Sequence, residues 1–120
     1  MPIIAFASPK GGAGKTTSAI VLATTLARSH NVTVIDADPA GRLMSWAGKA
    51  PLPGRLRVRA TRGEKKIQDE IQEASEKTAY VIVDLESAAT RLNAYVLAEC
   101  DLVIIPMGDE QQDAEAAIET

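Results

Sequence analysis

The chain has 120 residues, 46% of them hydrophobic and 24% charged, with a formal net charge of −3. Such a composition excludes a disordered chain and bounds the molecule to one domain at most, while the acidic balance excludes a surface built as a nucleic-acid glove, so any DNA contact must be local. Cys100 is the single cysteine and rules out an internal disulfide; no apolar run nears the roughly 20 residues of a membrane span; and Phe6, Trp46, Tyr80 and Tyr95 are too few to stack single strands.

The first element is the apolar run Ile3-Ile4-Ala5-Phe6-Ala7, which reads as a strand buried on both faces. Ala19, Leu22, Ala23, Leu26 and Ala27 then recur at helical spacing, so the intervening Ser8-Pro9-Lys10-Gly11-Gly12-Ala13-Gly14-Lys15-Thr16-Thr17 is a strand-to-helix turn. Glycines there let backbone N–H groups converge without Cβ obstruction, and the helix adds the positive end of its dipole. An anion is the natural occupant. In that geometry Lys15 reaches β- and γ-phosphates and the Thr16 hydroxyl ligates Mg²⁺. The dinucleotide pattern G-x-G-x-x-G fails, because Thr17 stands where its third glycine belongs, and G-x-x-x-x-G-K-[ST] fails at Pro9.

The stretch Lys10–Thr16 instead resembles the deviant Walker A motif, K-G-G-x-G-K-[ST], of the ParA/MinD family of partition and positioning ATPases. That resemblance implies a P-loop NTPase fold: a mostly parallel sheet with helices on both faces. It implies nucleotide contacts from Lys10, Gly11, Gly12, Ala13, Gly14, Lys15, Thr16 and Thr17. It also implies ATP and Mg²⁺ as cofactors and a homodimer formed on ATP binding, in which Lys10 serves the partner's phosphates. The activity implied is an ATP-hydrolysing switch in DNA partition or positioning, with non-specific DNA and a partner DNA-binding or relaxosome protein. Adenine over guanine rests on the resemblance alone, since no N-K-x-D segment is visible.

After the first helix, His30-Asn31 is expected to end it, Asn31 as a left-handed cap and the His30 imidazole favoured by the dipole. Val32–Ile35 is a second buried strand, ending in Asp36-Ala37-Asp38-Pro39 at the edge where open α/β sheets carry ligands. The family has a D-x-D-P segment there. By that likeness Asp38 positions the attacking water and Asp36 supports the Mg²⁺ shell; the plainer alternative is that Asp38-Pro39 breaks the strand and caps the next helix. A short helix over residues 41–48 follows, with Ala40 where family members often carry Gln next to the proline.

Pro51, Pro53 and Gly54 mark a loop, after which Arg55, Arg57 and Arg59 alternate with Leu56, Val58 and Ala60 as on an edge strand. With Arg62, Lys65 and Lys66 they form a basic cluster, read either as protection against sheet-to-sheet association or as a contact for DNA or an acidic partner. Residues 63–78 read as a surface helix with an Ile67, Ile71, Ala74 stripe and four-residue ion pairs Lys65–Asp69, Lys66–Glu70 and Glu73–Lys77. Tyr80–Asp84 is a further buried strand whose terminal Asp84 reads as a Walker B acid holding Mg²⁺ through water. The family's Thr-Pro or Ser-Pro after that acid is replaced by Leu85-Glu86-Ser87.

Thr90–Glu99 reads as a helix, Asp101–Pro106 as a fifth strand resembling the family's A-D-L-V-L-I-P, and residues 111–120 as a helix without a stop signal. Cys100 is expected to be a buried small hydrophobe. The expectation is thus of residues 1–120 as the N-terminal part of one P-loop ATPase domain, cytoplasmic and without a membrane anchor, whose unsealed sheet would make the isolated chain marginal or self-associating. The Leu85-Glu86-Ser87 variation and the short Trp46 segment look like the plasmid-borne subgroup that includes a crown-gall virulence protein of conjugative T-DNA transfer. The other readings are an ATP-dependent small-molecule ligase or kinase of the wider superfamily, and a MinD-like membrane-associated positioning ATPase.

Overall fold

The computed structural model describes residues 2–8, 14–49 and 51–106. Strands β1 (Ile3–Phe6), β2 (Val32–Ala37), β3 (Leu56–Ala60), β4 (Tyr80–Leu85) and β5 (Leu102–Ile104) alternate with helices α1 (Lys15–Leu26), α2 (Arg42–Ala47), α3 (Ile67–Lys77) and α4 (Arg91–Glu99). The strands form one sheet in the order β3-β2-β4-β1-β5, and each pairing is parallel.

The apolar runs become strands because both sheet faces are covered. Ile4, Phe6, Val32, Val34, Leu56 and Ile82 point to one face, where Ala19, Ala23 and Ala27 of the first helix and its exit turn and Leu43 of α2 cover them. Ala5, Ile35, Ala37, Val81, Val83 and Leu85 point to the other, against Ile67, Ile71 and Ala74 of α3 and Val96 of α4. The small alanine side of α1 lets that helix lie close on the sheet. Val81, Ile82 and Val83 of central β4 are fully buried, each contributing about 1.5–3 kcal/mol. β4 is therefore the least movable strand, and its end is a fixed platform for Asp84.

Several local expectations change. α1 ends at Leu26 with Ala27 as cap, not at His30-Asn31, and no described non-glycine residue has positive φ, so Asn31 is not a left-handed cap. Instead the His30 amide donates to the Leu26 carbonyl (2.9 Å), and its ring meets Tyr80 edge-on at 5.3 Å. Cys100 is only half-buried beside the α4-side core; burial pushes its thiol above the ordinary range. β5 is three residues long, and Leu102, Val103 and Ile105 are exposed on this outer edge. The helix expected over residues 111–120 lies outside the described residues.

The largest change is at α3. The helix begins at Ile67, after a turn led by Gly63 at φ 115°, a left-handed value that favours glycine. Only Glu73–Lys77 of the three expected pairs forms, at 3.1 Å. Glu70 is buried instead. Its carboxylate accepts from the Thr61 hydroxyl (2.6 Å), the Arg62 main-chain N–H (3.0 Å), Arg62 Nε (3.3 Å) and an Arg59 guanidinium nitrogen (3.4 Å). It also sits in the first turn of α3, where the dipole favours an anion. Glu70→Ala would strand these donors, and a loss of about 3 kcal/mol is expected in urea unfolding. An unchanged midpoint would mean that the loop after β3 is held by something else.

Candidate functional site

The parallel sheet brings the C-terminal ends of β1, β2 and β4 side by side: Asp36 stands opposite Asp84 in the β2–β4 register, and Phe6 opposite Asp84 in the β1–β4 register. The turn after β1 enters α1 at Gly14, whose φ of 81° is left-handed and whose carbonyl accepts from Ser18 N (2.8 Å). Lys10, Gly11, Gly12 and Ala13 lie outside the described residues.

Lys15, the first residue of α1, is buried with 1% exposure. Its ammonium donates to Asp84 Oδ1 at 2.5 Å and lies 3.4 Å from Asp38 Oδ2. The Thr16 hydroxyl donates to the other oxygen of the same carboxylate, Asp84 Oδ2, at 3.0 Å. Lys15, Thr16, Asp38 and Asp84, drawn from three segments far apart in the chain, thus form one contiguous group. Burial pushes the Asp84 carboxyl above the usual range; Lys15 and then Thr16 pull against it, and the neighbouring Asp36 adds a further upward push.

Asp36 has a different local task from Asp38. Its oxygens accept from the main-chain N–H groups of Asp38 and Met44, both at 3.1 Å. The second bond satisfies an N–H in the first turn of α2, whose cap residue Gly41 has no side chain to do so. It is therefore Asp36, not Asp38, that caps this helix. Asp38 accepts from Ala40 N with one oxygen (3.0 Å) and turns the other toward Lys15. Thr17 is exposed along a groove of about 400 Å³ that it lines with Phe6, Val21 and Ile104, apart from the charged group.

Sequence reasoning missed Asn93. Its side-chain NH₂ donates to the carbonyls of Glu86 (2.9 Å) and Ala88 (2.7 Å), holding the segment after Asp84, while its own main-chain N–H donates to the Thr90 cap. Its Oδ1 is buried without a partner among the described residues. The available signal was a polar residue on the stripe of Asn93, Val96 and Cys100.

The donor chemistry suits a hard divalent cation. Two carboxylates, Asp38 and Asp84, against one ammonium leave the described group with excess negative charge, and Thr16 Oγ1 and Asp84 Oδ2 are adjacent oxygens. No described cluster of three or more His, Cys, Asp or Glu could hold a metal alone. Mg²⁺ needs no such cage, since it takes one or two protein oxygens and completes its shell with water and phosphate.

Residues 4–99 match the family model described as the CobQ/CobB/MinD/ParA nucleotide binding domain. Protein ParA of Rhizobium radiobacter is 40% identical over 115 residues, covering 95% of this chain and 52% of that protein. Maintenance of carboxysome distribution protein A of Gloeobacter kilaueensis is 34% identical, covering 98% and 54%. The fold matches a putative plasmid partition protein of Borrelia burgdorferi solved with AMPPNP bound, at TM-score 0.77 and 23% identity, covering 98% of this chain and 67% of that one. The chain spans about half the length of the curated relatives it matches. No described helix is long and apolar enough to cross a membrane.

Proposed function

Because the chain belongs to the CobQ/CobB/MinD/ParA nucleotide-binding family, we propose that it carries the phosphate-binding half of an ATP-hydrolysing dimer switch acting in DNA partition or positioning. The observation that carries this reading is the Asp84 carboxylate shared between Lys15 (2.5 Å) and Thr16 (3.0 Å) at the C-terminal end of central strand β4.

The chemistry follows from charge. With no nucleotide, the buried ammonium of Lys15 is balanced by Asp84 and Asp38. A triphosphate offers denser negative charge, so Lys15 moves from the carboxylates to the β- and γ-phosphates while the main chain of residues 11–14 cradles them. Thr16 and Asp84 would hold Mg²⁺, Asp84 through water, with Asp36 supporting that shell from the adjacent strand; the ion would neutralise charge building on the phosphate oxygens. Asp38, partly open to solvent through its side chain, orients the attacking water. Lys10 reaches the phosphates of the second subunit, so that ATP both joins the dimer and is hydrolysed within it. Thr17 completes the loop. DNA and a partner DNA-binding or relaxosome protein are engaged by the assembled dimer.

The protein is expected to hydrolyse ATP with Mg²⁺ and no organic co-substrate, and faster with duplex DNA. A strict need for a small-molecule acceptor would overturn the switch in favour of a ligase or kinase. In sedimentation with ATP, wild type is expected to shift from monomer to dimer and Lys10→Ala to remain monomeric; equal dimerisation would remove Lys10 from the interface.

A further inference from the structure

The outer edge of the sheet at β3 carries a second, separate constellation of charge. Arg55, which leads into the strand, and Arg57 and Arg59 within it are two residues apart, so they share one face, opposite to Leu56 and Val58, which pack into the core. Arg59 is tied to buried Glu70 (3.4 Å), whereas Arg55 and Arg57 have no ion pair among the described residues. Between this row and α3 lies a cleft of about 270 Å³ lined by Thr33, Arg57, Arg59, Glu73, Ala74 and Lys77. Its one carboxylate, Glu73, is already engaged by Lys77 at 3.1 Å and is held below the usual range by Lys77, with Arg59 and Arg62 adding to the effect.

Among the described residues β3 pairs with β2 alone, so no described strand covers the outer side of its main chain. The carbonyl of Arg55 accepts from Val32 N, and Thr61 N donates to the Asp36 carbonyl, so the odd-numbered residues turn their polar groups inward to β2. Val58 and Ala60, alternating with them, turn theirs outward.

We propose that β3 docks an acidic peptide in extended conformation, which adds to the sheet as a sixth strand and places alternate carboxylates against Arg55, Arg57 and the cleft beside Lys77. The arginines are about 7 Å apart along the strand, the same repeat as side chains on one face of an added strand. A second copy of this chain is rejected, because its own arginine row would meet this one. The charge that protects the edge from self-association is thus the charge that selects an anionic partner. A duplex fits less well: on the adjoining lead-in turn and helix the exposed Arg62, Lys65, Lys66 and Lys77 are interleaved with exposed Glu64, Asp69, Glu73 and Glu76, which would repel a phosphate backbone.

The test is fluorescence anisotropy with the full chain and a labelled peptide of about ten residues alternating Glu and Thr, at about 50 and 300 mM salt. Binding is expected, weaker at high salt, and reduced at least about tenfold by Arg55→Glu with Arg57→Glu, and severalfold by the milder Arg57→Gln, in variants whose circular dichroism matches wild type. The same peptide N-methylated at alternate residues is expected not to bind, because it cannot supply the ladder. Equal binding of the methylated peptide, indifference to the arginine changes, no binding at all, or tighter arginine-dependent binding of duplex DNA would each overturn the proposal.

Discussion

Lys15→Ala is expected to lower affinity for ATP by at least about two orders of magnitude, because the side chain supplies the only described cation inside the group formed with Asp38 and Asp84. Titration calorimetry checks this directly, and retention of near-wild-type affinity would detach Lys15 from the phosphates. The same substitution has a consequence without nucleotide. Asp84 is buried, and Lys15 is the strongest influence opposing the upward push that burial exerts on its carboxyl. With Lys15 gone, the folded state holds the Asp84 proton to higher pH than the unfolded state does. The native form then binds more protons across the interval above the ordinary value of 3.8, so stability falls as pH rises through that interval and levels off above the folded-state pKa. Urea midpoints are expected to show a steeper decline for Lys15→Ala than for wild type; parallel profiles would show that Lys15 does not hold the Asp84 charge.

Asp38→Ala is expected to separate binding from turnover. Its carboxylate lies 3.4 Å from Lys15, against 2.5 Å for Asp84, and among the described residues its only main-chain partner is the Ala40 N–H. Lys15 therefore keeps its stronger partner when Asp38 is removed. Nucleotide affinity is expected to remain within severalfold of wild type, or to tighten because a negative charge has left the site. Hydrolysis is expected to slow by about 10²–10⁴-fold, the usual worth of a group that orients and polarises the attacking water. A fall in kcat with KM nearly constant is the pattern of an interaction made only in the transition state. Normal turnover would leave Asp38 as a turn residue that balances the Lys15 charge.

The two variants also divide the group by physical role. Lys15 is buried and answers to charge, while the Asp38 side chain is 15% exposed and can meet water. Asp36 makes no contact with Lys15 among the described residues, and its two oxygens accept from the main-chain N–H groups of Asp38 and Met44. Its replacement acts on α2 and the turn that presents Asp38.

Much of this was readable from the residues in order. Uninterrupted apolar runs at Ile3–Phe6 and Val32–Ile35 specify strands buried on both faces. The alternation of arginines with Leu56, Val58 and Ala60 placed β3 at an edge, and the helix read over Thr90–Glu99 is α4 (Arg91–Glu99). The glycines and lysines before α1 named the ligand class, because phosphate binding needs only a local turn, a helix start and a nearby cation. All of these depend on neighbours a few positions apart.

What the chain order could not supply were the contacts between residues distant in sequence. Glu70 looks like half of a surface pair with Lys66, and becomes a buried anion only because the turn after β3 brings Thr61 and Arg62 over it. Asn93 looks like an ordinary helix residue until the segment after β4 folds back on α4. That Lys15 faces Asp84, 69 positions away, follows from β4 lying beside β1. Sequence alone specified the fold class and pointed to the glycine turn and the candidate acids, since periodicity and spacing are local properties. The tertiary structure decided that Asp38 and Asp84 share the lysine while Asp36 accepts from the main chain of the turn and of α2, because burial and Coulomb attraction act through space.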